Sequence, residues 1–110
     1  MFNFHQLKRT HMTYAVISQW TSSVSRESEA GKNNEKTAQE KYVPGLKALG
    51  ALHAYFIYTG DMTFSVVTIY PDEAVASAAI AKQNAMRSQA AADMPVSLIS
   101  EARGAVFASL

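Results

Sequence analysis

Residues 52–70, LHAYFIYTGDMTFSVVTIY, decide the fold. Two runs rich in β-branched and aromatic residues, LHAYFIY (52–58) and TFSVVTIY (63–70), flank the short segment TGDM. Such residues favour a pleated strand, and a Gly-Asp pair between two strands signals a hairpin. The spacing predicts a tight turn at Gly60-Asp61 with positive φ at its first central residue. Neither strand alternates between apolar and polar side chains. Tyr55 and Ile57 fall on one face and Phe56 and Tyr58 on the other, while Phe64 and Val66 lie opposite Val67 and Ile69. An antiparallel strand buried on one side only should look half polar. Both faces of this sheet therefore need a cover.

Working towards the N-terminus, EKTAQEKYVPGLKALG carries Ala38, Tyr42, Leu46 and Leu49 as one apolar stripe at helical spacing. Asn33 or Asn34 is predicted to cap this helix, with SSVSRESEAGKNN before it a polar loop. Pro44 removes an amide donor and crowds the preceding turn, so a kink is expected near Glu40–Tyr42. Gly50 is placed to end the helix. TYAVISQWT (13–21) alternates as a first strand.

Towards the C-terminus, Asp72 caps an alanine-rich helix that runs to about Met94 and stops at Pro95. VSLISEARGAVFASL then supplies a fourth strand, with Gly104 the expected bulge or break. The order β-α-β-β-α-β predicts an α+β, ferredoxin-like domain: a four-stranded antiparallel sheet with two helices on one face. The simplest cover for the other face is the same sheet in a second copy, which makes a homodimer. Residues 13–110 form this single domain. Residues 1–12, MFNFHQLKRTHM, show no periodicity and are expected to be an unstructured leader, either an upstream start or a cloning remnant.

Composition narrows the function further. The 110 residues are 48% hydrophobic and 17% charged, with a formal net charge of +1. With Lys8 and Arg9 set aside, eight basic residues face nine acidic ones, and no basic cluster suits a phosphate backbone. Nucleic acid is not an expected partner. No apolar run approaches the roughly 20 residues that cross a bilayer, so no membrane is expected either. The chain has no cysteine, which fits a reducing cytoplasm and removes thiolate chemistry. His5 and His11 match no usual metal-ligand spacing, and no glycine-rich phosphate loop is present, so neither metal nor cofactor is expected.

The run Glu40-Lys41-Tyr42-Val43-Pro44-Gly45-Leu46-Lys47-Ala48-Leu49-Gly50-Ala51, the strand pair around Gly60, and Tyr70-Pro71-Asp72-Glu73-Ala74 resemble the dimeric α/β-barrel superfamily over about residues 13–108. The likeness is to its antibiotic-biosynthesis-monooxygenase-like branch. It implies two such sheets pairing into a barrel with the helices outside, and a cofactor-independent oxygenase or isomerase if the protein is an enzyme. That branch tends to use an Asn on the first strand and a later Trp. Here the first strand offers Ser18 and Gln19, and the single tryptophan, Trp20, stands on that strand itself.

The candidate site residues follow from side-chain chemistry. His53, opening the second strand beside Tyr55, is the candidate general base, with an ordinary pKa near neutrality. It also reads as a strand-end side chain with one satisfied hydrogen bond. Trp20, Tyr42 and Tyr55 are candidates to line a pocket for a small aromatic or polyketide-like molecule, and equally suit core or interface packing. Arg87 shares a helix face with Gln83 and Asn84, as an anion-binding group or as part of a solvated face. Glu101 and Arg103, on one face of the last strand, are expected to pair at the dimer rim. Two functions remain open: a ligand-binding barrel with oxygenase or isomerase chemistry, and a non-catalytic ligand-binding or stress-associated dimeric module.

Overall fold

The computed structural model describes residues 12–110, so the expectation for the leader falls almost wholly outside the described residues. β1 (Tyr14–Ser22) leads to a helical arm made of α1 (Glu29–Thr37), a π-helical turn (Ala38–Tyr42) and α2 (Val43–Ala48). The hairpin β2 (His53–Tyr58) and β3 (Thr63–Tyr70) follows, then α3 (Glu73–Asp93) and β4 (Val96–Ala105). The strands form one antiparallel sheet in the order β2-β3-β1-β4. This is the expected α+β, ferredoxin-like arrangement.

Local chemistry explains most boundaries. Asp72 caps α3, its carboxylate accepting from Val75 N at 2.8 Å. Gly50 ends the helical arm with φ of +103°, a conformation that glycine adopts without a Cβ clash. The kink falls at the predicted place. Val43 N donates to Ala38 O, five residues back, and this wider turn sits immediately before Pro44. Proline's ring would crowd the carbonyl four residues earlier, and the π turn relieves that crowding.

Three expectations are corrected. The helical arm starts at Glu29 rather than at Asn33 or Asn34, because Ser28 takes the cap and accepts from Gly31 N at 3.0 Å. Gly31 lets this first turn close against the preceding loop, since a Cβ there would lie 2.8 Å from Arg26 Cα. The hairpin does not place Gly60 at positive φ; Thr59 N and Gly60 N both donate to Thr63 O across a longer loop. The bulge lies at Ile99, not Gly104. Gln19 pairs with Ser100 but Trp20 with Leu98, while Gly104 pairs regularly with Ala15.

The bulge decides what β4 presents. Glu101 pairs with Ser18, Arg103 with Val16 and Val96 with Ser22, so all three stand on the helix side. Without the extra residue, Val96 would face the other way. On that helix side the core gathers Trp20, Tyr42, Leu46, Val66, Ala90, Met94 and Val96 in one cluster, and Val16, Tyr70, Ala76 and Ala79 in another. The small alanines of α3 let the helix lie close to the strands. Gly31→Ala is expected to cost about 2–3 kcal/mol by overpacking the first turn of α1, read as a lower thermal midpoint.

Candidate functional site

Two adjoining cavities open between the helices and the sheet. The larger, about 440 Å³, runs between the helical arm and the β2–β3 hairpin, with Ala38, Val43, Phe56 and Phe64 among its walls. The smaller, about 50 Å³, is lined by residues that include Trp20, Tyr42, Gln83, Met86 and Arg87. Phe56, Phe64, Met94 and Val96 border both. Trp20 and Phe64 stack with centroids 5.9 Å apart, forming a flat aromatic floor.

The polar groups around this space are held in place. Trp20 Nε1 donates to Ser18 Oγ at 2.8 Å, and Tyr70 OH donates to Gln83 Oε1 at 3.1 Å. Tyr42 OH donates to Asp93 Oδ2 at 3.1 Å, and Lys41 Nζ reaches the same oxygen at 2.7 Å, tying the helical arm to the end of α3. Burial first, and then the Asp93 carboxylate, pushes the Tyr42 hydroxyl above its usual value. Burial does the same for Tyr70. Both phenols therefore stay protonated at neutral pH and act as hydrogen-bond donors.

Arg87 is the charged group of the interior. Its side chain is 10% exposed, and Nη1 donates to Glu101 Oε2 at 2.5 Å. Arg103 Nε contacts the other oxygen of Glu101. Arg103 first, and Arg87 after it, hold the Glu101 carboxyl below its usual value against the opposing effect of burial. The Nη2 of Arg87 is buried with no hydrogen-bond partner, as is Thr68 Oγ1. A buried donor left unmade is costly, so such a group marks a place where an acceptor fits.

The sequence-derived candidates divide between the two sheet faces. Trp20, Tyr42 and Arg87 meet at the smaller cavity. His53 and Tyr55 do not join them. They pair with Ile69 and Val67 on the face away from the helices, where their rings stack 6.2 Å apart, although Tyr55 also borders the larger cavity at the β2 edge. The two polar candidates His53 and Arg87 therefore share no cavity within the chain, because His53 belongs to the odd-numbered side of β2 and the helices cover the even side. Glu101 and Arg103 do pair, but on the helix side and together with Arg87. Gln83, grouped with Arg87 and Asn84 from the sequence as a possible anion contact, instead accepts from Tyr70, and Phe64 was not among the candidates. The Asp72 cap fixes the α3 register, which puts Gln83 on the buried stripe of Ala76, Ala79 and Ala90.

A mouth with its own aromatic contact completes the larger cavity. The Arg26 guanidinium sits 4.8 Å above the Tyr58 ring, and Ser25 Oγ donates to Asp61 Oδ1 at 2.7 Å, clipping the β1–α1 loop to the hairpin. Among the described residues, no group of three or more acidic or imidazole side chains could hold a metal ion, and no helix is long and apolar enough to cross a membrane.

No family model matches the chain, and no curated protein matches it by sequence. Solved structures do. A dimeric ferredoxin-like protein from an uncultured marine organism has a TM-score of 0.62 at 17% identity, covering 90% of this chain and 99% of its own. A protein of unknown function from Nitrosomonas europaea has a TM-score of 0.61 at 20% identity, covering 91% of this chain and 95% of its own. At these identities the likeness establishes the fold alone.

The ion cluster gives a pH test with a fixed sign. Because the folded Glu101 carboxyl titrates below its usual 4.5, its contribution is complete above that pH and is lost as pH falls through the lowered value. Glu101→Gln is expected to cost about 1–3 kcal/mol at neutral pH in a denaturant titration. The difference from wild type should shrink as the buffer is taken below the usual glutamate value.

Proposed function

We propose that the chain works as a homodimer that binds a small, flat, largely apolar molecule between its helices and its sheet. The observation that carries this reading is the division between the two sheet faces. The helix side holds a cavity with an aromatic floor and a buried guanidinium that keeps one donor free, while the opposite side carries a packing surface without Asp, Glu, Lys or Arg.

That opposite face consists of Ala15, Ile17 and Gln19 on β1, His53, Tyr55 and Ile57 on β2, Ser65, Val67 and Ile69 on β3, and Ser100, Ala102 and Gly104 on β4. It contains no Asp, Glu, Lys or Arg. Ile17 is 37%, Tyr55 52% and Ile57 46% exposed in the isolated chain. Contiguous apolar exposure of this kind marks an interaction surface. A sheet packs well on an identical sheet about 10 Å away, and one of the structural neighbours is described as dimeric. His53 and Tyr55 then serve the interface.

The binding reading leads over a cofactor-independent oxygenase or isomerase. Trp20, Tyr42 and Arg87 are the ligand-contacting groups: Trp20 and Tyr42 commit their single N–H and O–H to Ser18 and Asp93 and offer ring surface, while Arg87 keeps a donor free at Nη2. Tyr42 and Tyr70 sit above the usual tyrosine value and stay protonated at neutral pH, so neither serves as a general base. His53, the candidate base, lies across the sheet from this space.

Two measurements test the proposal. Sedimentation at micromolar concentration is expected to give twice the 12.0 kDa chain mass. Ile17→Lys, at the centre of the face, should give monomer or loss of cooperative unfolding, since it buries an unpaired charge. A wild-type monomer would refute the paired sheets. For the cavity, titration with indole or naphthol is expected to change the emission of Trp20, the single tryptophan, with saturation below millimolar ligand. A flat response throughout would refute the binding reading.

A further inference from the structure

The smaller cavity has a feature that apolar binding alone leaves unexplained. Arg87 is nine-tenths buried, yet only part of its guanidinium is used. Nη1 contacts Glu101 Oε2 at 2.5 Å and Asn84 Oδ1 at 3.3 Å, whereas Nη2 is buried without a partner. Arg87 is one of the side chains lining the 50 Å³ space. A cavity needs only about 10–15 Å³ of such volume to hold a water, so this one has room for a group of two or three heavy atoms. It does not have room for an aromatic ring.

Charge adds a second constraint. The cluster holds two guanidiniums, Arg87 and Arg103, and one carboxylate, Glu101, leaving one positive charge. A single negative charge would complete it, and a planar carboxylate matches the guanidinium edge. The wider chamber next door, sharing Phe56, Phe64, Met94 and Val96 as walls, has the volume and the apolar lining for the rest of such a molecule. Of the shared walls Met94 is the most adaptable, because an unbranched thioether side chain repacks at low cost.

Resting on the cavity reading above, we infer that the ligand is an aromatic carboxylic acid whose carboxylate enters the small cavity and accepts from Arg87 Nη2, while its ring lies in the larger one. Glu101 engages the guanidinium through Nη1 and partly neutralises it, which leaves Nη2 for the ligand while competing with it for the positive charge. The Trp20–Phe64 stack flanks the passage between the two spaces and reports on its occupancy.

The test compares 4-phenylbutanoate with 4-phenylbutan-1-ol, which share a body and differ in the charged end. Trp20 emission and calorimetry at neutral pH provide the readouts. Wild type is expected to bind the acid at least tenfold more tightly than the alcohol. In Arg87→Met that ratio should fall to near one, and Arg87→Lys should retain part of it. Equal binding of acid and alcohol to wild type would overturn the carboxylate subsite while leaving the cavity reading standing. Binding of neither probe would overturn both. If Arg87→Met fails to fold, Glu101→Gln decides the matter. Removing the competing carboxylate raises the local charge, so the acid-to-alcohol ratio should rise at least threefold, and an unchanged or lower ratio contradicts the proposal.

Discussion

The structure depends on a four-stranded sheet that is apolar on both sides while the chain supplies helices for only one of them. Strands β3 and β1 occupy the middle of the sheet, and their alternate residues meet opposite demands. Val16, Ser18, Trp20, Val66, Thr68 and Tyr70 turn towards the helices and are buried. Ala15, Ile17, Val67 and Ile69 turn away, and among the described residues no element lies over them. The proposed pairing with a second copy would cover that face and add to the buried core of a small domain.

In the proposed arrangement one sheet face packs against a second copy and the other keeps its cavities for a ligand. The helical arm, with its π turn, and the β2–β3 hairpin wall the larger cavity between them, while alanine-rich α3 lies close to the strands. The polar groups left in this interior are mostly paired internally: Trp20 with Ser18, Tyr70 with Gln83, Tyr42 with Asp93. Arg87 departs from that pattern. A guanidinium this deeply buried needs a counter-charge, and Glu101 supplies it from its register opposite Ser18, while the β4 bulge lets Val96 face the helices as well.

How far the sequence could be read follows the range of the interactions involved. The strands, the Asp72 cap, the Gly50 terminus and the bend before Pro44 depend on neighbours within a few residues, and each was legible from pattern and side-chain chemistry. The cap at Ser28 was not. Asn33 and Asn34 are equally good caps in isolation, and the choice rests on Gly31 fitting against Arg26, a close approach that composition does not announce. The Ile99 bulge was hidden for a related reason. Glycine is the usual cue for a bulge, but here the deciding factor is that Glu101 and Val96 must share a face. Of the site, Trp20, Tyr42 and Arg87 were identifiable as residue types, and the stripe of Gln83 with the alanines was visible once Asp72 set the register. That His53 and Tyr55 belong to the opposite side was implicit in their odd positions on β2. Which side the helices take, however, is a tertiary fact.

The central claim is that the uncovered face is an interface between identical sheets. Isotope-filtered nuclear Overhauser spectroscopy on a mixed sample of labelled and unlabelled chains tests it most directly. The account expects intermolecular contacts from the methyl groups of Ile17, Val67 and Ile57 and from the Tyr55 ring, with none from Val66 or Leu46 on the helix side. Intermolecular contacts confined to other surfaces, or methyl groups of Ile17 and Val67 fully accessible to a soluble paramagnetic probe, would contradict it.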